Sequence, residues 1–119
     1  MEPGTPRLAR LHTRTTLAMA AWAGNRSIAA RVVTELVCNA VKHVGTGEVT
    51  LALVIGEDEE LLIEVTDPSP EFGGYEAAVA EEGKTGLGLI RALGCDIDWD
   101  ASPIGGGKSI QAQIRLMQA

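Results

Sequence analysis

Four side chains in one short stretch could act together chemically. Glu35, Asn39 and His43 recur at intervals of four residues in "TELVCNAVKH", with Lys42 beside them. On an α-helix that spacing sets a carboxylate, a carboxamide and an imidazole along one face. Such a line is commonly the solvated side of a surface helix. Here its neighbours are Leu36, Val37, Cys38, Ala40 and Val41, and asparagine is a poor helix former unless its side chain has a task. An amide oxygen together with phosphate oxygens suits a hydrated Mg²⁺, which keeps several waters. A nearby glutamate can take a proton from water or a hydroxyl, and a lysine can meet a phosphate as a point charge.

Two further signals lie downstream. In "GKTGLGLIRALG", Gly83, Gly86 and Gly88 stand at the mouth of a helix. Glycines there either form a plain turn or expose backbone N–H groups that cradle phosphates with help from the helix dipole. The segment is neither a dinucleotide-binding fingerprint, since a long polar loop and not a strand leads into it, nor a GxxxxGK[ST] loop. In "EVTDPSP", Asp67 ends a strand. A carboxylate at that place either caps a turn or accepts a hydrogen bond from an exocyclic amine such as that of adenine.

The elements that must position these groups can be read from the patterning. Thr5 and Pro6 form a helix start, N-cap then proline, and the first helix should run to about Ala23, where Gly24 and Asn25 stop it. Leu8, Leu11, Thr15 and Ala18 give it an amphipathic period. The second helix runs from about Ser27 to Val44, with a wide apolar stripe of Ile28, Val32, Leu36 and Ala40 flanked by Val33, Val37 and Val41. "EVTLALVIG" alternates, with Val49, Leu51, Leu53 and Ile55 facing one way, and "LLIEVTD" follows after a polar turn, so the two read as a hairpin. Residues 68–85 form a long, Pro-, Gly- and acid-rich connection, with room for one short helix around Tyr75 to Ala80. After the glycine-led helix, "CDIDWDAS" and "KSIQAQIRL" read as a second hairpin with Ile110, Ala112, Ile114 and Leu116 inward. Paired hairpins predict a mostly antiparallel sheet, covered on one face by three helices: a two-layer α/β sandwich.

The bulk numbers bound the rest. A chain of 119 residues holds one domain and one core. With 45% hydrophobic but only 3% aromatic residues, that core must rest on Val, Leu, Ile and Ala. The net charge of −6, with no basic block, argues against nucleic acid and anionic membrane as main partners. Cys38 and Cys95 sit apart in apolar runs and read as reduced, buried small hydrophobes, which points to the cytoplasm. Arg7, Arg10 and Arg14 before "TLAMAAWAG" faintly suggest a secretory leader, but the periodicity favours an ordinary helix. No stretch approaches the ~18 apolar residues of a membrane span.

In their order, the three signals resemble the N, G1 and G2 boxes of the GHKL, or Bergerat-fold, ATP-binding superfamily. "ELVCNAVKH" looks most like the N box of its small anti-sigma-factor serine/threonine kinase-like members, "GLGLIRALG" is similar to their G2 helix, and "GGGKSIQAQIRL" to their closing hairpin. The resemblance spans nearly the whole chain and implies an ATP- and Mg²⁺-dependent regulatory domain. In it Asn39 holds Mg²⁺ and Glu35 is the general base. Lys42 and His43 lie near phosphates or the lid, and Asp67 binds the adenine amine. Gly86, Leu87 and Gly88 wrap the phosphates, and Ser109 stands where a threonine supports the adenine-side water network. Residues 68–85 would be the ATP lid. The implied partners are an anti-sigma antagonist of the STAS type and a sigma factor, and the first helix offers a surface for a homodimer. The chain departs from the family in its G1 box, where "DPSPE" replaces D-x-G-x-G. That departure motivates an alternative, a nucleotide-gated protein-binding module without phosphate transfer.

Overall fold

The computed structural model describes residues 4–43, 49–68, 86–101 and 107–115. Within them the order is α1 (Thr5–Met19), α2 (Arg26–His43), β1 (Thr50–Ile55), β2 (Leu61–Asp67), α3 (Gly86–Ala92), β3 (Asp96–Ala101) and β4 (Lys108–Ile114). The four strands form one antiparallel sheet in the order β1-β2-β4-β3. The two expected hairpins are both present and are joined through their inner strands β2 and β4. The result is the two-layer α/β sandwich that the patterning predicts.

Strict alternation explains the sheet. Leu61, Ile63, Val65 and Asp67 of β2, and Lys108, Ile110, Ala112 and Ile114 of β4, are buried on one face. The residues between them turn to the other face, which is polar: Thr66 bonds Ser109 at 2.8 Å and Gln111 bonds Glu64 at 2.9 Å. Helix α2 lies across the apolar face, touching β2, β4, α1 and α3. Its Val32, Val33, Leu36, Val37 and Ala40 join the core as the stripe predicts. Each large aliphatic side chain so buried contributes roughly 1.5–3 kcal/mol.

Helix α1 departs from expectation in three ways. Thr5 is its first helical residue, the N-cap is Gly4, and the helix ends at Met19 rather than near Ala23. The early stop has a local cause. Ala21 adopts a left-handed φ of 52°, and the Trp22 N–H reaches the Leu17 carbonyl at 3.1 Å while the Ala21 N–H reaches that of Ala18 at 3.1 Å. This is a Schellman closure, with Trp22 and Leu17 both buried across it. Trp22 then donates from its indole to the Glu59 carbonyl at 2.7 Å, tying the helical layer to the β1–β2 turn. Lastly, the expected apolar face of α1 is turned outward. Leu8 and Leu11 are 69% and 49% exposed, whereas Thr13 and Leu17 are buried, with Ala9 packed against the core. Small side chains at Ala9 and Thr13 suit the inward face, and the Thr13 hydroxyl is satisfied by the Ala9 carbonyl at 2.8 Å.

Helix α2 starts at Arg26, one residue before the expected position, because Asn25 is its N-cap: the side-chain oxygen accepts from the Ile28 N–H at 3.1 Å. The short helix suggested around Tyr75 to Ala80, the expected lid at 68–85 apart from Pro68, and the inward Leu116 lie outside the described residues. No helix among the described residues is long and apolar enough to cross a membrane.

Candidate functional site

Asp67 is the last residue of β2 and Lys108 the first of β4, directly opposite in the antiparallel register. Both point to the helix-covered face and both are buried, at 3% and 2% exposure. The Lys108 ammonium donates to both carboxylate oxygens, at 3.0 Å to Oδ1 and 2.9 Å to Oδ2. It is the one ion pair among the described residues with both side chains out of water. Burying two charges is costly and is tolerated only with close pairing. Gly107 makes the approach feasible, because a Cβ there would strike the Asp67 carbonyl oxygen.

Glu35 and Asn39 occupy successive turns of α2, as their spacing requires. Glu35 is buried and Asn39 half-buried. The Glu35 carboxylate accepts from Arg31 Nε at 3.2 Å, one turn back. It also lines an open groove of about 450 Å³ between α1 and α2, together with Arg10, Arg14, Ser27, Arg31 and Thr34. Three guanidinium groups against one carboxylate make this groove electropositive. Cys38, between Glu35 and Asn39, is half-buried, and its thiol is pushed above the ordinary value chiefly by burial, with the Glu35 charge adding and Arg31 opposing. It is a neutral neighbour at physiological pH, though half-buried where the sequence predicts a buried side chain; Cys95 is the buried one of the two.

Of the other predicted site residues, Lys42 and His43 are the last residues of α2 and their side chains lie outside the described ones. Gly86, Leu87 and Gly88 form the first turn of α3, which packs on α2 and β3. Ser109 stands beside Lys108 but turns to the opposite face of the sheet, where it bonds Thr66. The residue that meets Asp67 is therefore Lys108, which sequence reasoning passed over. Its signal was available: a lysine in phase with Ile110, Ala112 and Ile114 falls on the buried face. A buried lysine needs a carboxylate, and Asp67 was the one in phase with Val65 and Ile63.

No group of three or more His, Cys, Asp or Glu side chains that could hold a metal occurs among the described residues. A divalent cation held through Asn39 would have to take most of its other ligands from a phosphate and from water, as Mg²⁺ does. No protein-family model matches this chain, and no curated protein matches it.

Proposed function

We propose that this chain is a Mg·ATP-binding regulatory domain of the GHKL kind. It acts in the cytoplasm as an anti-sigma-factor-like serine/threonine kinase on a STAS-type antagonist, with a sigma factor as a further partner. The observation that carries the reading is the buried carboxylate of Asp67 at the end of β2, on the helix-covered face of the sheet. Lys108 donates to both of its oxygens, and a carboxylate is the kind of acceptor that the exocyclic amine of adenine needs. The element order and the antiparallel sheet under α2 support the same reading.

On this reading Asn39 holds Mg²⁺ through its amide oxygen. Gly86, Leu87 and Gly88 offer backbone N–H groups to phosphates, and Glu35 accepts the proton of the attacking hydroxyl. Bound Mg·ATP supplies the phosphoryl group and neutralises the charge that develops on it. Positioning by these residues is the protein's main contribution. The electropositive groove beside Glu35 suits an acidic segment of the protein substrate.

A second reading, a nucleotide-gated binding module without transfer, is favoured by one contact. Arg31 holds Glu35 in an ion pair at 3.2 Å, and a base so engaged must be released before it can act. Calorimetric titration with ATP, with and without Mg²⁺, tests the nucleotide site. Asp67→Asn should abolish binding, and Asn39→Ala should remove its Mg²⁺ dependence. Phosphate transfer to a captured partner, lost by at least about a hundredfold in Glu35→Gln, separates the kinase from the module; nucleotide-dependent capture without transfer selects the module.

A further inference from the structure

We propose that the groove between α1 and α2 recognises a phosphorylated serine or threonine of a partner protein, with Arg10 and Arg14 holding the phosphate. The inference rests on the groove and does not need the nucleotide reading. Where that reading holds, it narrows the acidic partner segment to a phosphorylated one.

The packing of α1 does not account for these two arginines. Both are exposed, and neither enters a salt bridge among the described residues. They stand four apart, a spacing at which like charges repel across one helical turn. Helix α1 holds no acidic residue to offset them. The chain has 10 lysines and arginines against 16 acidic residues, yet three of those cations, Arg10, Arg14 and Arg31, line this one groove.

The lining sets the charge of the ligand. Its one carboxylate, Glu35, is engaged by Arg31 at 3.2 Å. That pair is close to neutral as a unit, which leaves the charges of Arg10 and Arg14 over. A phosphomonoester matches them, with about −1.5 to −2 at pH 7 and three acceptor oxygens; a carboxylate brings a single charge. The guanidinium fork gives two parallel donors to phosphate oxygens, and Ser27 adds a hydroxyl to the lining. The Thr34 hydroxyl donates to the Ala30 carbonyl at 2.7 Å and serves as wall.

The volume sets its size. At about 450 Å³ the groove falls in the range that takes organic ligands of many atoms, about 300–1,000 Å³, so a bare phosphate would leave most of it to water. An open trough between two helices suits a chain segment laid along it, and arginine clusters are a recurring means of binding phosphopeptides. Leu11, next to Arg10 and exposed, offers such a segment an apolar contact. By contrast, the cavity of about 330 Å³ on the open face of the sheet is lined by Asp96 and Asp98 and by no cation, and would repel the same group.

The test is fluorescence anisotropy with labelled short peptides that carry a central phosphoserine between random flanks, beside matched pools with serine or glutamate in its place. Wild type should bind the phosphoserine pool at least about tenfold tighter than the glutamate pool, with no saturable binding of the serine pool. Arg10→Gln/Arg14→Gln should lose at least about tenfold in affinity for the phosphoserine pool. Both positions are exposed and glutamine is a good helix former, so the variant should fold, which circular dichroism checks. Arg91→Gln/Arg115→Gln removes the same charge at exposed sites elsewhere and should bind as wild type. Equal affinity for the glutamate and phosphoserine pools overturns the inference and leaves a site for any acidic segment. No saturable binding of the phosphoserine pool overturns it, as does wild-type binding by Arg10→Gln/Arg14→Gln or equal weakening in both double variants. Displacement of the phosphoserine pool by Mg·ATP also overturns it, since the groove would then belong to the nucleotide. A chain that binds the phosphoserine pool but not ATP keeps this inference and loses the nucleotide reading.

Discussion

Asp67 and Lys108 show how unequal two charges are when both leave water. Removing one partner strands the other, at a cost of about 3–5 kcal/mol, whereas replacing both with apolar side chains of similar volume is often close to neutral. Asp67→Ala should therefore lower the unfolding free energy by about that amount, and Asp67→Leu/Lys108→Met by much less. Urea titrations followed by circular dichroism read both. The Arg31–Glu35 pair differs in kind: Arg31 is 52% exposed, so solvent screens it and Glu35→Gln should leave stability nearly unchanged. The two free cysteines add a pH dependence. Burial raises both thiols, the charge of Asp96 adding at Cys95 and that of Glu35 at Cys38. A thiol raised in the folded state stabilises it fully below the ordinary thiol value, and that stabilisation is lost as the pH climbs through the higher folded value. Stability should thus fall on the alkaline side, from about the ordinary thiol value of 9.0 upward. Thermal melts of wild type against Cys95→Ala between pH 8 and 11 should show the decline weakened in the variant.

At the scale of elements, two helices end in the same way with different residues. Helix α3 closes through Gly94 at φ +84°, with the Cys95 N–H on the Ile90 carbonyl and the Gly94 N–H on that of Arg91. Helix α1 closes identically, but Ala21 holds the left-handed position. There a Cβ costs roughly 1–2 kcal/mol, partly offset by the greater freedom that glycine loses on folding. Ala21→Gly should stabilise the protein by about 0.5 kcal/mol and Gly94→Ala destabilise it by about 1 kcal/mol, both visible as shifts in melting temperature. The same helix shows where sequence reading failed. Its end was placed near Gly24 because the left-handed residue is an alanine, which gives no signal. Its face was assigned from Leu8 and Leu11, because leucine outweighs alanine and threonine in any hydropathy pattern. Contact with α2 instead favours the small residues Ala9 and Thr13, and the leucines are left outside. The strands and α2, by contrast, were legible nearly to the residue. Their apolar positions recur at a single period and admit one buried face.

Over the whole molecule charge is segregated. Residues 5–43 carry six basic residues and one acidic, and the rest of the chain four basic and fifteen acidic, which together make the net −6. The helical hairpin is thus a cationic layer on an anionic protein, and Arg10 and Arg14 flank Glu35 in its groove. Such a layout steers acidic partners at long range and loses its effect as salt rises. Arg10→Glu/Arg14→Glu should slow association with an acidic protein partner by about tenfold or more at low ionic strength. It should leave the melting temperature and nucleotide affinity near wild type; stopped-flow association across a salt series is the measurement.

By itself the sequence determined the alternation of the strands, the antiparallel hairpins, the apolar stripe of α2 and the alignment of Glu35 with Asn39. These follow from local periods of two and 3.6 residues, which are properties of the backbone and need no partner. Only the tertiary structure decided which flank of α1 is buried and that Lys108 rather than Ser109 meets Asp67. Those outcomes depend on the register between strands and on the distance between helices. Asp67 and Lys108 are 41 residues apart, and nothing short of the β2–β4 pairing brings an ammonium to a carboxylate across that separation.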